Sequence, residues 1–292
     1  MSTLWRWPAL EGGAAAPAVP LCYRRAIWGK VHGEASDYRW IARSEGFAQG
    51  CPDLAGALRL GAEDTPVTAP LWRRLSDRYL ATAVYPSRAR DSAGRMTVVE
   101  KQVFEWQASP AVPATLAALA LLPEVARLGD ADWWDRRTQG HWSTPDYALP
   151  INAADQPSID ADANVLAVRV EDGLTALTGV TAPADLRAFY IQLLAGRFPA
   201  RLRVSAPLSP TALAVLLLPL PRHWADRLSL AGGIAARHLA PRDLMRNWDG
   251  FGCDLPIAAD TGDQGLAIAA LADAMAEALL QRDPERLQRN RR

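Results

Sequence analysis

Cysteine and histidine are scarce in this sequence. Three cysteines, Cys22, Cys51 and Cys253, stand at wide, irregular spacing, and the four histidines, His32, His141, His223 and His238, include no i, i+4 pair and no CxxC companion. An odd number of dispersed cysteines supplies neither a disulfide framework nor the closed ligand set of a structural zinc site, and a reducing, cytoplasmic setting suits them best. Charge of one sign is also lacking. Lys+Arg and Asp+Glu both total 32, so the formal net charge is +0. Proteins that hold long nucleic acids draw most of their affinity from neutralising phosphates and usually carry a basic excess, so that partner class is not expected. No hydrophobic run is long enough for a membrane span. No run exceeds that of residues 212–218, which stops at Pro219, well short of the roughly 20 apolar residues a transmembrane helix needs. Residues 1–10 contain Trp5, Arg6, Trp7 and Pro8 but no apolar h-region, so no signal peptide is predicted.

Nucleotide-binding loops are missing as well. There is no G-x-x-x-x-G-K-[ST], and Gly232-Gly233 and Gly250-Phe251-Gly252 lack the lysine and the strand-loop-helix setting that cradle phosphates. No G-x-G-x-x-G follows a strand pattern, and no cofactor is predicted. A Cys22–His32 nucleophile would require the first strand to bend back on itself. A metal-dependent nuclease needs two acidic groups on the ion and a lysine on the same strand face. Asp91 and Glu100 offer the acids, but Lys101 directly follows Glu100 and so points to the opposite face.

What is present is an ordinary globular composition, 49% hydrophobic and 22% charged over 292 residues, which suits two domains or one elaborate one. Residues 1–16 form an aromatic segment and a Gly/Ala/Pro linker, residues 17–150 a β-rich N-terminal domain, residues 163–281 an α/β C-terminal domain, and residues 282–292 a basic tail with Arg282, Arg286, Arg289, Arg291 and Arg292. The fold class is mixed α/β, with N-terminal hairpins followed by packed amphipathic helices. Strands are predicted over residues 21–31, 38–44, 81–85 and 96–106, and a short helix over 71–79 behind Thr68 and Pro70. Pro113 opens an apolar helix that Pro123 interrupts. Residues 165–170 and 174–180 flank Glu171-Asp172-Gly173 and read as a hairpin. Leu186, Phe189, Tyr190, Leu193 and Leu194 recur at helical spacing, residues 201–205 read as a strand, and Ile268, Leu271, Met275 and Leu279 mark the packing stripe of a last helix that ends before Pro284.

Eleven tryptophans are many for one chain. Trp5, Trp7, Trp133, Trp134 and Trp142 all lie in stretches without periodicity, and Arg136 and Arg137 stand close to three of them. Tryptophan and arginine dominate protein interface hot spots, so these seven residues are the predicted partner-binding set. The alternative is a metal-dependent nuclease or hydrolase of an immunity system, centred either on Asp91 and Glu100 or on the loop of residues 130–141 with Asp130, Asp132, Asp135 and His141.

Two stretches carry a family resemblance. Residues 29–47, with the ending Ala42-Arg43-Ser44-Glu45-Gly46, resemble the opening hairpin of the GTPase-associated protein one family. Residues 216–234, with Leu220-Pro221 and Leu228-Ser229, are similar to that family's middle region, although Leu230 stands where an aromatic is expected. The resemblance implies a non-enzymatic adaptor that binds a GTPase or another NTPase encoded nearby in a bacterial conflict, or antiphage defence, system. It assigns no catalytic residues.

Overall fold

The computed structural model describes residues 20–21, 24–29, 39–43, 69–75, 78–90, 97–107, 113–128, 147–148, 159–160, 163–197, 200–226, 228, 230–231, 262–283 and 286–287. Strands β1 (Pro20–Leu21), β2 (Arg24–Gly29), β3 (Arg39–Arg43), β4 (Ala69–Leu75), β5 (Arg78–Arg90) and β6 (Thr97–Gln107) come first. They are followed by helix α1 (Ala114–Leu128) and the two-residue strands β7 (Tyr147–Ala148) and β8 (Ile159–Asp160). The rest comprises helices α2 (Ala163–Val180), α3 (Pro183–Leu194), α4 (Pro210–Val215) and α5 (Arg222–Ala225), strand β9 (Leu230–Ala231), and helix α6 (Gly262–Leu280).

One sheet runs in the order β7-β3-β2-β6-β5-β4-β9, and β1 pairs with β8. The β5–β6 pair anchors it, in register from Arg78 opposite Gln107 to Pro86 opposite Val99. The register shifts just after Pro86, before Arg90 meets Thr97. Proline cannot donate to a ladder and is confined in sheets to edges and bulges. A second irregularity lies in β3, where Ile27 faces Ala42 but Trp28 faces Trp40. The helix expected over residues 71–79 is instead β4 and the start of β5, paired antiparallel with Leu75 opposite Arg78. Its apolar spacing suited a helix, but ladder pairing on both sides of β4, with β5 and β9, decides the conformation.

Helix α1 lies at the centre of the core, in contact with β5 and β4 of the sheet and with α2 and α4 among the helices. All residues of 114–122 are buried, as expected for a helix that is apolar on every face. Tyr79 and Ala81, two apart on β5 and hence on one face of the sheet, join the same hydrophobic cluster as α1 and the later helices. The expected break at Pro123 does not occur; α1 continues through it. A proline at 123 leaves the Leu119 carbonyl without its intrahelical donor. Arg169 of α2 supplies one instead, its Nη1 donating to Leu119 O at 3.1 Å and to Ala120 O at 2.8 Å.

The hairpin expected around residues 171–173 is overturned, because residues 163–180 form one continuous helix. Leu166, Val170, Leu174 and Leu177 are all buried, at i, i+4, i+8 and i+11. Gly173 is not a turn residue but a contact point. A Cβ there would lie 2.6 Å from both Thr211 O and Val215 Cγ1 of α4, so glycine lets two helix backbones approach closely. Residues 201–205 are irregular rather than a strand; Arg201 N donates to the Gln192 side chain, and Ser205 N to Val180 O. Helix α3 buries Leu186, Phe189, Tyr190 and Leu193 as its spacing predicts. It ends at Gly196, with φ of 64°, where Arg197 N reaches Gln192 O and Gly196 N reaches Leu193 O, the paired bonds of a Schellman cap.

Long-range capping ties the helices to the sheet. Asp226, just after α5, accepts from Ala114 N at 2.9 Å and from Tyr79 OH at 3.3 Å, and its other oxygen lies 3.6 Å from Arg222 Nε. Pro113, which precedes α1, has no side-chain acceptor for the first amide of that helix, and Asp226 fills the place from 112 residues away. Tyr190 OH donates to Leu216 O at 2.9 Å inside the core, satisfying a carbonyl at the end of α4.

Candidate functional site

Two surfaces emerge from the described residues. The first is the outward side of α6. That helix packs on α3 and α2, burying Ala272, Met275, Ala276, Ala278 and Leu279. Asp273 pairs with Arg187 of α3 through both carboxylate oxygens. This contact raises the guanidinium's pKa further, by the hydrogen bond first and the opposite charge second. A second Schellman-type cap closes the C-terminus, with Asp283 N donating to Ala278 O and Arg282 N to Leu279 O. Arg282, at φ of 52°, holds the left-handed position that glycine usually takes. Arg286 then reaches back to Glu277, and Leu287 is buried.

With that side anchored, Leu266, Ala267, Ala270, Leu271 and Ala274 are exposed. Leu266 is 73% exposed and Leu271 39%. None of the five carries charge or a hydrogen-bonding side chain. Helices on a solvated surface normally present polar residues outward. On α2, Val165 and Val168 are likewise exposed, at 42% and 57%; that face turns polar at Asp172 and Thr175, two turns on, while the α6 face runs through three turns before Glu277.

The second surface is a cleft of about 410 Å³ where the C-terminus of α2 meets the N-terminus of α3, lined by Thr178, Thr181, Asp185, Arg203 and Ser205 among others. Its hydroxyls are largely committed to backbone. Thr178 Oγ1 donates to Leu174 O at 2.9 Å, and Ser205 Oγ to Val180 O at 3.3 Å. Thr181 Oγ1 is buried with no hydrogen-bond partner among the described residues. Arg203 and Asp185 place both signs of charge on the rim. The Thr178 and Ser205 hydroxyls are thus held by carbonyls rather than by a base that could activate them.

No family model, curated protein or solved structure matches the chain. The site residues expected from the sequence, Trp5, Trp7, Trp133, Trp134, Arg136, Arg137 and Trp142, lie outside the described residues. So do Asp91 and the loop of residues 130–141, whereas Glu100 and Lys101 are neighbours on β6. Among the described residues no group of three His, Cys, Asp or Glu side chains comes together to hold a metal ion, and no helix is long and apolar enough to cross a membrane. Of the stripe expected to pack α6, Met275 and Leu279 are buried, Ile268 is half-buried and Leu271 is exposed. Sequence reasoning missed the outward face because it sought one apolar stripe. The signal was the alanine and leucine content between the stripe positions.

Proposed function

We propose that this chain is a non-enzymatic adaptor that binds another protein, a GTPase or other NTPase encoded nearby, within a cytoplasmic bacterial conflict system. In this reading the architecture is mixed α/β, with a β-rich unit over residues 17–150 and an α/β unit over residues 163–281. The observation that carries the adaptor reading is the set of exposed apolar residues on α6, Leu266, Ala267, Ala270, Leu271 and Ala274, with Leu266 at 73% exposure. Interface centres are depleted in charge relative to the rest of a protein surface, and here the exposed carboxylate beside these residues, Glu277, is paired with Arg286. The tryptophan- and arginine-rich stretch around Trp133, Trp134, Arg136, Arg137 and Trp142, together with Trp5 and Trp7, supports it as a second element of the partner surface, by residue type. The identity of the partner rests on the resemblance of residues 29–47 and 216–234 to the GTPase-associated protein one family.

The test is binding of the full chain to the NTPase encoded beside its gene, measured by calorimetry for the natural sequence and for the Leu266→Asp/Ala270→Asp double variant. Both positions are exposed, so the thermal midpoint should stay unchanged while Kd weakens at least about ten-fold, equivalent to about 1.4 kcal/mol. Trp133→Ala should act in the same direction. Unchanged affinity in both variants, or no association of the natural chain at micromolar concentration, would overturn the proposal.

A further inference from the structure

We draw no further inference here: the strongest candidate, the cleft between the end of α2 and the start of α3, rests on a helix N-terminus, because the one unpartnered polar group beside it among the described residues, the Thr181 hydroxyl, is itself buried rather than open to the cleft.

Discussion

Replacing Arg169 with methionine removes a guanidinium while keeping much of the side chain's apolar length. Arg169 Nη1 stands 3.1 Å from Leu119 O and 2.8 Å from Ala120 O, and both of those residues are fully buried. Hydrogen bonds from a charged donor contribute about 1.5–3 kcal/mol, and a buried acceptor left without a partner costs about 1–3 kcal/mol. Arg169→Met should therefore lower stability by about 2–4 kcal/mol. The size of that loss should depend on Pro123. Alanine at 123 restores an amide that can serve Leu119 O from within α1, so Arg169→Met in that background leaves no orphaned carbonyl, whereas with proline at 123 it orphans Leu119 O. The coupling between the two positions should be about 1–2 kcal/mol. Urea unfolding of the natural chain, both single variants and the double variant measures it directly, and the cycle cancels whatever else Arg169 touches. Additivity to within about 0.5 kcal/mol would refute the claim that Arg169 replaces the donor missing at Pro123.

Two glycines of α2 should respond in opposite directions. Gly173→Ala forces a Cβ to 2.6 Å from the α4 backbone and should cost about 1–3 kcal/mol, whereas Gly179→Ala meets nothing within 4 Å and should stabilise by about 0.5–1 kcal/mol; equal effects in chemical denaturation would contradict the packing described. Asp226→Ala removes the acceptor for Ala114 N and Tyr79 OH and should cost about 1–2 kcal/mol, while Asp226→Asn, which keeps an acceptor oxygen, should recover most of it in the same unfolding assay. Burial raises the Tyr190 phenol well above its ordinary value of 10.0 in the folded state. The unfolded chain then releases that proton first as pH passes about 10, so stability is unaffected below and falls above, by up to about 1.4 kcal/mol per pH unit. Tyr190→Phe should remove that part of the slope from denaturant midpoints measured between about pH 9 and 11; an unchanged slope would contradict it.

Sequence alone determined those elements whose pattern is local. The spacing of Leu186, Phe189, Tyr190 and Leu193 specified α3, and the alternation on either side of residues 86–95 specified β5 and β6, because in both cases the period of the side chains suits only one backbone geometry. The extent of α6 was legible too, but not its outward face, since a helix with alanine and leucine on several sides does not show in sequence which side a neighbour will cover. The tertiary structure decided everything that depends on a distant partner. Glu171-Asp172-Gly173 has the residues of a turn, and only the approach of Thr211 and Val215 shows that Gly173 serves a helix crossing. Pro123 breaks an isolated helix, yet α1 runs through it because Arg169, 50 residues from Leu119, provides the missing donor. Residues 69–75 become a strand because β5 and β9 pair with them on either side. In each case the local preference is worth about a kcal/mol per residue or less, and a buried contact or a ladder of hydrogen bonds formed across the fold outweighs it.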